Sequence, residues 1–315
     1  MVLSACKGQS VFKNGSFEVA KMWKKLLAGA VLTGLSCSLA FAGSTLDQIK
    51  SSKQLTIGYR ESSVPFSYLD GNQKPVGFSM DLCAQVVDKL KQSLNAPQLT
   101  VKYLPVTSAN RIPLIQNGTV NIECGGTANS LERQKQVGFS VATFVSHTKW
   151  LTKTDSGINN AKDLKGKTVV VTQGSNAVQF AKEINEKDGL GLNIVQAHDH
   201  AESMLMLQSG RAAAFMEDDI LLAAKKADAS NPNQFKFLPD SYNTLAYGLM
   251  VPKDDPEFKA LVDKTLSDMM ASGQFTQVYK KWFENPIPPR NANLNFPLTQ
   301  DLKDRIAHPS DKVPS

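Results

Sequence analysis

Between Leu55 and Phe283 the chain alternates short β-forming runs with amphipathic stretches of helical period, and it does so in two successive units. In the first unit Leu55–Tyr59 reads as a strand and Asp70-Gly71-Asn72 as a hairpin turn. Ser79 to Leu94 sets Leu82, Cys83, Val86, Val87, Leu90 and Leu94 at the helical period. Leu99–Leu104 is the next strand, and the helical turn after Ser108 stops at Asn117-Gly118. Val120–Glu123 is a strand, Cys124-Gly125-Gly126-Thr127 a loop, and Ser130-Leu131-Glu132-Arg133 a helix start. The β-rich stretch Val141–Leu151 leads into the second unit. There, strands Thr168–Val171, Asn193–Gln196 and Ala212–Met216 alternate with helices from Ser175, over His200–Gln208 and over Asp219–Ala227. A further β stretch, Ala246–Val251, leads back to helices Pro256–Ser272 and Gln274–Phe283. The Pro-rich tail after Asn285 is expected to strap the outside.

Such alternation argues for open α/β sheets. The β-rich crossings near Ser146–Lys149 and Leu245–Tyr247 divide the two units, so the expected architecture is α/β, two open sheets joined by a double hinge around a cleft. The expected division is a leader and signal peptide at 1–42, a discontinuous first lobe at 43–146 with 247–290, a second lobe at 147–246, and a C-terminal strap at 291–315. About 270 residues follow the leader, more than one hydrophobic core usually serves.

The leader sets the compartment. Lys24-Lys25 precede an uncharged run from Leu26 to Ala42 that ends in Ala40-Phe41-Ala42, the parts of a secretory signal peptide with cleavage after Ala42. The run is shorter than the roughly 20 residues that span a bilayer. Met22 stands just before the basic pair and is an alternative start to Met1. A lipoprotein reading at Cys37 is weakened by Gly34, where an aliphatic residue is expected. The net charge of +6 is modest and partly in the leader. The remaining lysines are dispersed without an aromatic-interleaved basic stripe, which argues against nucleic acid as a partner. Cys83 and Cys124 follow the leader. In an oxidising compartment they can pair, but Cys83 lies on an apolar helix face and Cys124 at a strand end, and two buried thiols are the preferred reading.

In open α/β sheets ligands bind beyond the carboxyl ends of strands. That rule selects Arg60, Ser108 to Arg111, Gly125 to Arg133, Thr172 to Asn176, His198 to His200 and Glu217 to Asp219. Three arginines, Arg60, Arg111 and Arg133, fall in this set. A guanidinium is a planar fork suited to carboxylates, so the set points to a ligand with more than one of them. His198 and His200 share a face of an extended segment, but no Cys or carboxylate pattern completes a metal site.

At these residues a family resemblance emerges. Tyr59-Arg60-Glu61-Ser62-Ser63-Val64-Pro65-Phe66-Ser67, Asn110-Arg111-Ile112-Pro113-Leu114, Glu132-Arg133-Gln134-Lys135-Gln136 and Asn285-Pro286-Ile287-Pro288-Pro289 resemble the glutamate/aspartate-binding proteins of ABC importers, over nearly the whole chain from Gly43 to about Ile306. The resemblance implies a two-lobed type II periplasmic-binding fold, a periplasmic location, a monomer, no cofactor, and docking on the membrane subunits of an ABC permease. It further implies that Arg133 grips the α-carboxylate of a free amino acid and Asp218 its ammonium. Arg60, Ser108, Arg111 and His200 would then surround a side-chain carboxylate, with Ser175 and Asn176 at a helix N-terminus beside them. The chemistry of each role is sound in itself, since an ammonium needs an acceptor-only group and a helix N-terminus attracts anions. Asp218 has a competing role as N-cap of the next helix, which Asp219 could share. Asp199 resembles an N-cap, so His200 starts a helix whose dipole favours a neutral ring.

The chain departs from the family pattern at Gly126 and Ala128, where hydroxyl side chains are usual, and at Asn176, where threonine is. These changes leave room for another polar amino acid as ligand. An enzyme is the main competing class, because this fold also hosts periplasmic dehydratases and lyases. The sequence has no Gly-x-Ser-x-Gly, His-Glu-x-x-His or Cys-x-x-Cys motif, although His200 with Glu217 or Asp218 would form an acid–base pair if they converged. A sensor that docks on a separate receptor is a further alternative.

Overall fold

In the computed structural model, which describes residues 44–314, the first unit begins with helix α1 (Thr45–Ser52) and strand β1 (Gln54–Tyr59). A small three-stranded sheet follows, β2 (Ser62–Ser63), β3 (Ser67–Leu69) and β4 (Pro75–Val76). Its hairpin turns where Asp70-Gly71-Asn72 predicts it, with Asp70 Oδ1 accepting from the backbone of Asn72 and Lys74. Helix α2 (Phe78–Ser93) buries Leu82, Cys83, Val86, Val87 and Leu90, the stripe expected from its period. Then come β5 (Thr100–Pro105), α3 (Arg111–Gln116), β6 (Ile122–Glu123), β7 (Ala128–Asn129), α4 (Leu131–Gln134), β8 (Gly138–Phe139) and the long β9 (Phe144–Lys153). The second unit runs β10 (Thr168–Thr172), α5 (Ala177–Asp188), β11 (Asn193–Ala197), α6 (His200–Gln208), β12 (Ala214–Asp218), α7 (Asp219–Ala227) and β13 (Phe235–Tyr247). The chain returns through β14 (Met250–Val251), α8 (Pro256–Ala271), α9 (Gln274–Phe283), the ribbon β15 (Pro286–Ile287) and β16 (Ala292–Asn293), and α10 (Gln300–Ala307).

Two main sheets result. One has the order β5-β1-β6-β14-β8, with β1 parallel to β5 and β6. The other has the order β11-β10-β12-β9-β13-β7, with β10 parallel to β11 and β12 and the remaining pairs antiparallel. Separate apolar clusters cover the faces of the second sheet, one around Trp150, Val169, Val171 and Met216, the other around Leu151, Val170, Phe215 and Phe235. The near-continuous apolar run of β10 is what a strand buried on both faces requires. This is the two-lobed type II architecture expected from the sequence, and the two crossings, β9 and β13, lie side by side as paired strands.

Several boundaries differ from the expectation. The strand read as Ala212–Met216 is Ala214–Asp218, so Asp218 closes the strand itself. The single stretch Ala246–Val251 is divided: β13 ends at Tyr247, and Met250–Val251 joins the other sheet. The long β13 escapes a local reading because Pro239, Asp240 and Asn243 interrupt it, and its register shifts at those places. β7 sits in the chain between strands of the first sheet yet pairs with β13 of the second.

The cysteine expectation is corrected. Cys83 and Cys124 form a disulfide, with their Cα atoms 6.3 Å apart. The buried face of α2 rests against the end of β6, and this packing brings the two within bridging distance. The expected leader at 1–42 lies outside the described residues. The C-terminal segment does return over the body: Leu302 of α10 is buried, and the carbonyls of Ser310 and Asp311 accept from Ala142 N and Asn129 Nδ2.

Candidate functional site

The carboxyl ends of β5, β6, β10, β11 and β12 converge on one cavity with about 240 Å³ of space between atoms. Its wall contains Ser108, Arg111, Gly126, Ala128, Arg133, Ser175, Asn176, His200, Glu217, Asp218 and Leu221. Nine of the ten residues selected from the sequence therefore meet here. Arg60 is the exception. It is 1% exposed and does not line the cavity, its backbone N–H donating to Ser67 Oγ and its Nη1 without a partner among the described residues. Glu217 and Leu221 complete the wall without having been assigned to it. Glu217 stood in the strand-end set, but a strand's end alone does not say which of two adjacent carboxylates turns inward.

Each polar side chain is held from outside the cavity. Arg111 donates from Nη1 to Thr127 Oγ1, and that hydroxyl donates to Glu123 Oε2 at 2.6 Å. Glu123 is fully buried, and its other oxygen is 3.9 Å from Arg111 Nη1, so the Gly-rich loop clamps the guanidinium through a buried carboxylate. Ser130 caps α4 by accepting from the Arg133 backbone, and the Arg133 guanidinium donates to Ala128 O at 2.8 Å and Gly174 O at 3.0 Å. Those two carbonyls come from different units of the chain. Asp218 occupies the N-cap position of α7, but its side chain caps nothing. Its carboxylate instead accepts from the hydroxyls of Tyr247 and Thr148, while Asp219 accepts from Ile220 N, Ser146 Oγ and His147 N. The competing role for Asp218 thus passes to its neighbour. Asp199 caps α6 by accepting from Glu202 N, and His200 Nδ1 meets Thr172 Oγ1 at 2.8 Å. Nε2 is the nitrogen left for the cavity. His198 is exposed where His200 is buried, so the two share no site. Among the described residues no cluster of three His, Cys, Asp or Glu is placed to hold a metal.

Burial dominates the electrostatics. It lowers Arg133 to about 9 and Arg60 to about 10, both further depressed by Arg111, and both guanidiniums stay protonated at neutral pH. Burial, with Arg60, Lys225 and Arg111 nearby, pushes His200 well below the ordinary histidine range, so the ring is neutral. Glu217 and Asp218 are raised above the usual carboxylate range, Glu217 by burial and then by its neighbour Asp218, Asp218 by burial against the pull of the Tyr247 hydroxyl. Buried polar atoms on the wall lack partners among the described residues: Ser108 Oγ, Arg111 Nε, Ser175 Oγ, Asn176 Nδ2 and Glu217 Oε2. Unmatched polar atoms cost free energy in a dry interior, so this cluster is built for a polar ligand. His200 Nδ1 and Glu217 Oε2 do converge, at 3.4 Å, which is long for a proton transfer.

Gly126 and Gly174 shape the wall. A Cβ at Gly126 would lie 2.9 Å from Phe66 Cδ2 and 3.2 Å from Tyr247 Cε2, so aromatic rings fill the space that a larger residue would take. Gly174 has φ +76° and presses its backbone on the turn after β5, where a Cβ would stand 2.6 Å from both Ala109 Cα and Ala109 N. The two lobes touch there.

Comparison with known proteins agrees with this geometry. Residues 55–285 match the family described as bacterial extracellular solute-binding proteins, family 3. The glutamate/aspartate import solute-binding protein of Salmonella typhimurium is 46% identical over 92% of this chain and 98% of its own length. The L-glutamate/L-aspartate-binding protein of Pseudomonas aeruginosa is 47% identical over 91% of this chain and 97% of its own. Among solved structures, a mutant of ArgBP from T. maritima is 26% identical with a TM-score of 0.67, covering 76% of this chain and 99% of its own. An ancestral amino acid-binding protein described as a precursor of cyclohexadienyl dehydratase is 29% identical with a TM-score of 0.66, covering 76% of this chain and 99% of its own. The chain belongs to the bacterial extracellular solute-binding proteins of family 3.

Proposed function

We propose that the protein captures a free acidic amino acid, glutamate or aspartate, in the periplasm and delivers it to the membrane subunits of an ABC permease. The observation that carries this reading is the placement of Arg111, Arg133 and Asp218 on one cavity, with Arg60 buried close enough to Arg111 and Glu217 to feel their charges. Relatives at 46–47% identity whose names state glutamate and aspartate support it. Arg133 meets the α-carboxylate and Asp218 the ammonium; Arg111, Ser108 and His200 face the side-chain carboxylate, with Arg60 adding charge nearby. Ser175 and Asn176 complete the grip at the start of α5. The lobes, 43–146 with 247–290 and 147–246, close on the ligand about the β9 and β13 crossings, and closure is what the permease reads. The protein works as a monomer, and 1–42 is removed after Ala42 on export. A thermal-shift screen against all amino acids, followed by calorimetric titration, tests the assignment. A ligand at a hundred times its dissociation constant adds about 2.7 kcal/mol of stability. Glutamate or aspartate should give the largest shift, and a larger shift from any neutral or basic amino acid would refute it.

A second reading, a same-fold dehydratase or lyase, draws on the 3.4 Å approach of His200 to Glu217 and on the ancestral relative described above. Turnover assays on amino and keto acids discriminate it, since a pure binding protein returns its ligand unchanged.

A further inference from the structure

Glu217 lines the cavity but has no part in the grip set out above. It is 2% exposed, its Oε2 has no hydrogen-bond partner among the described residues, and that oxygen faces Nδ1 of His200 at 3.4 Å. The groups around it come from every side. Asp218 follows it on β12 and donates its backbone N–H to Oε1 at 3.3 Å; Ser175 approaches from the loop before α5 and His200 from α6. Arg111 on α3, Arg133 on α4 and Arg60 after β1 bring positive charge, and Tyr247 on β13 is held by Asp218. None of the arginines hydrogen-bonds to Glu217, and the neutral His200 supplies no cation.

Charge balance then decides the state of this carboxyl. Arg60, Arg111 and Arg133 carry three positive charges, and the buried Glu123 and Asp218 carry two negative ones; Lys225 on α7, the further cation near His200 and Arg60, is offset by Asp199 and Asp228 beside it. A zwitterionic acidic amino acid adds one net negative charge. The filled cavity is neutral if Glu217 is a carboxylic acid and negative if it is a carboxylate, and an uncompensated charge is costly in a dry interior. We propose that Glu217 is a specificity-determining residue that binds the ligand as the neutral acid, donating from Oε2 to the ligand's side-chain carboxylate, so that capture of an acidic amino acid takes up a proton from solution. The proton passes from solvent to Oε2, and no bond of the ligand is made or broken. The inference rests on the acidic-ligand reading and deepens it.

The sign of the pH dependence follows. Burial and Asp218 already raise Glu217 in the free protein, and an arriving carboxylate raises it further. Between the free and bound values the complex holds more protons than the free protein, so affinity for the acid falls as pH rises, approaching tenfold per pH unit for one proton. An amide ligand brings no second carboxylate and lacks this slope. The preference for acid over amide therefore narrows at alkaline pH.

Calorimetric titration of glutamate, aspartate and glutamine into the intact mature protein from about pH 5.5 to about 9.5, in buffers of different ionisation enthalpy, reads the proton directly. Because the α-ammonium of either ligand also titrates at the alkaline end, glutamine is the reference: the wild type is expected to take up as much as about one proton more with the acid than with glutamine. Glu217→Gln, neutral and nearly isosteric, should still bind the acid but lose the excess uptake over glutamine and the slope that goes with it, and Glu217→Asp should keep them. Circular dichroism establishes that the variants are folded. Acid binding by the wild type with no more proton uptake than glutamine, or an equal excess in Glu217→Gln, overturns the role of Glu217 alone. Failure of either acid to bind while another amino acid does overturns the acidic-ligand reading and this inference with it.

Discussion

Gly174→Ala is the most direct probe of whether the cavity works by closure. Two costs arise from the structure, and they separate. The backbone at Gly174 has φ +76°, a region that costs a residue with a Cβ roughly 1–2 kcal/mol whichever way the lobes stand. The second cost belongs to the closed form only. The new Cβ would sit 2.6 Å from Ala109 Cα and N and 2.7 Å from Ser108 C, all backbone atoms of the opposite lobe, so no side chain can swing aside. Relief requires the lobes to part by close to an ångström, and the Arg133 bond to Gly174 O would stretch with them. Overpacking of this kind costs about 1–3 kcal/mol, which corresponds to roughly 5- to 150-fold weaker binding. Calorimetry on the preferred ligand measures the loss, and small-angle scattering with saturating ligand should show a larger radius of gyration than the liganded wild type. The melting temperature of the unliganded variant reports the dihedral cost by itself. Wild-type affinity together with a wild-type compact form would refute closure at this contact.

Arg133→Ala and Asp218→Ala should each abolish binding of every amino acid with a native circular-dichroism spectrum, because one ligand charge is then buried without its partner; near wild-type affinity in calorimetry would remove the proposed grip. Arg111→Met should lower affinity for the preferred acid at least about tenfold while affecting its amide far less, since charge-assisted hydrogen bonds are worth roughly 1.5–3 kcal/mol; equal losses for acid and amide would displace Arg111 from the side-chain end. Replacing Cys83 and Cys124 together by serine opens a cross-link between residues 41 apart and should lower unfolding stability by about 4 kcal/mol in denaturant titration, with ligand specificity retained. An unchanged midpoint would show that the bridge contributes nothing to stability.

Much of this protein was legible in order along the chain. The period of helix α2, the Asp70-Gly71-Asn72 turn and the caps at Ser130 and Asp199 depend on residues within a few positions of each other, and these appear where local pattern puts them. The strand-end rule then located the cavity, because parallel α/β units deliver their carboxyl ends to one edge whatever the side chains are. What the sequence could not decide involves partners far apart. The Cys83–Cys124 bridge depends on how α2 lies on β6, and the freedom of Asp218 depends on Tyr247, 29 residues away across the crossing strands. β7 joins the second sheet because pairing with β13 is won in space rather than along the chain. Glu217 differs from Asp218 by one position, yet that position decides which carboxylate the Tyr247 hydroxyl engages and which is left unmatched beside His200. Side-chain period and turn chemistry are local properties, whereas the register and packing that set these contacts arise only once the whole chain has been brought together.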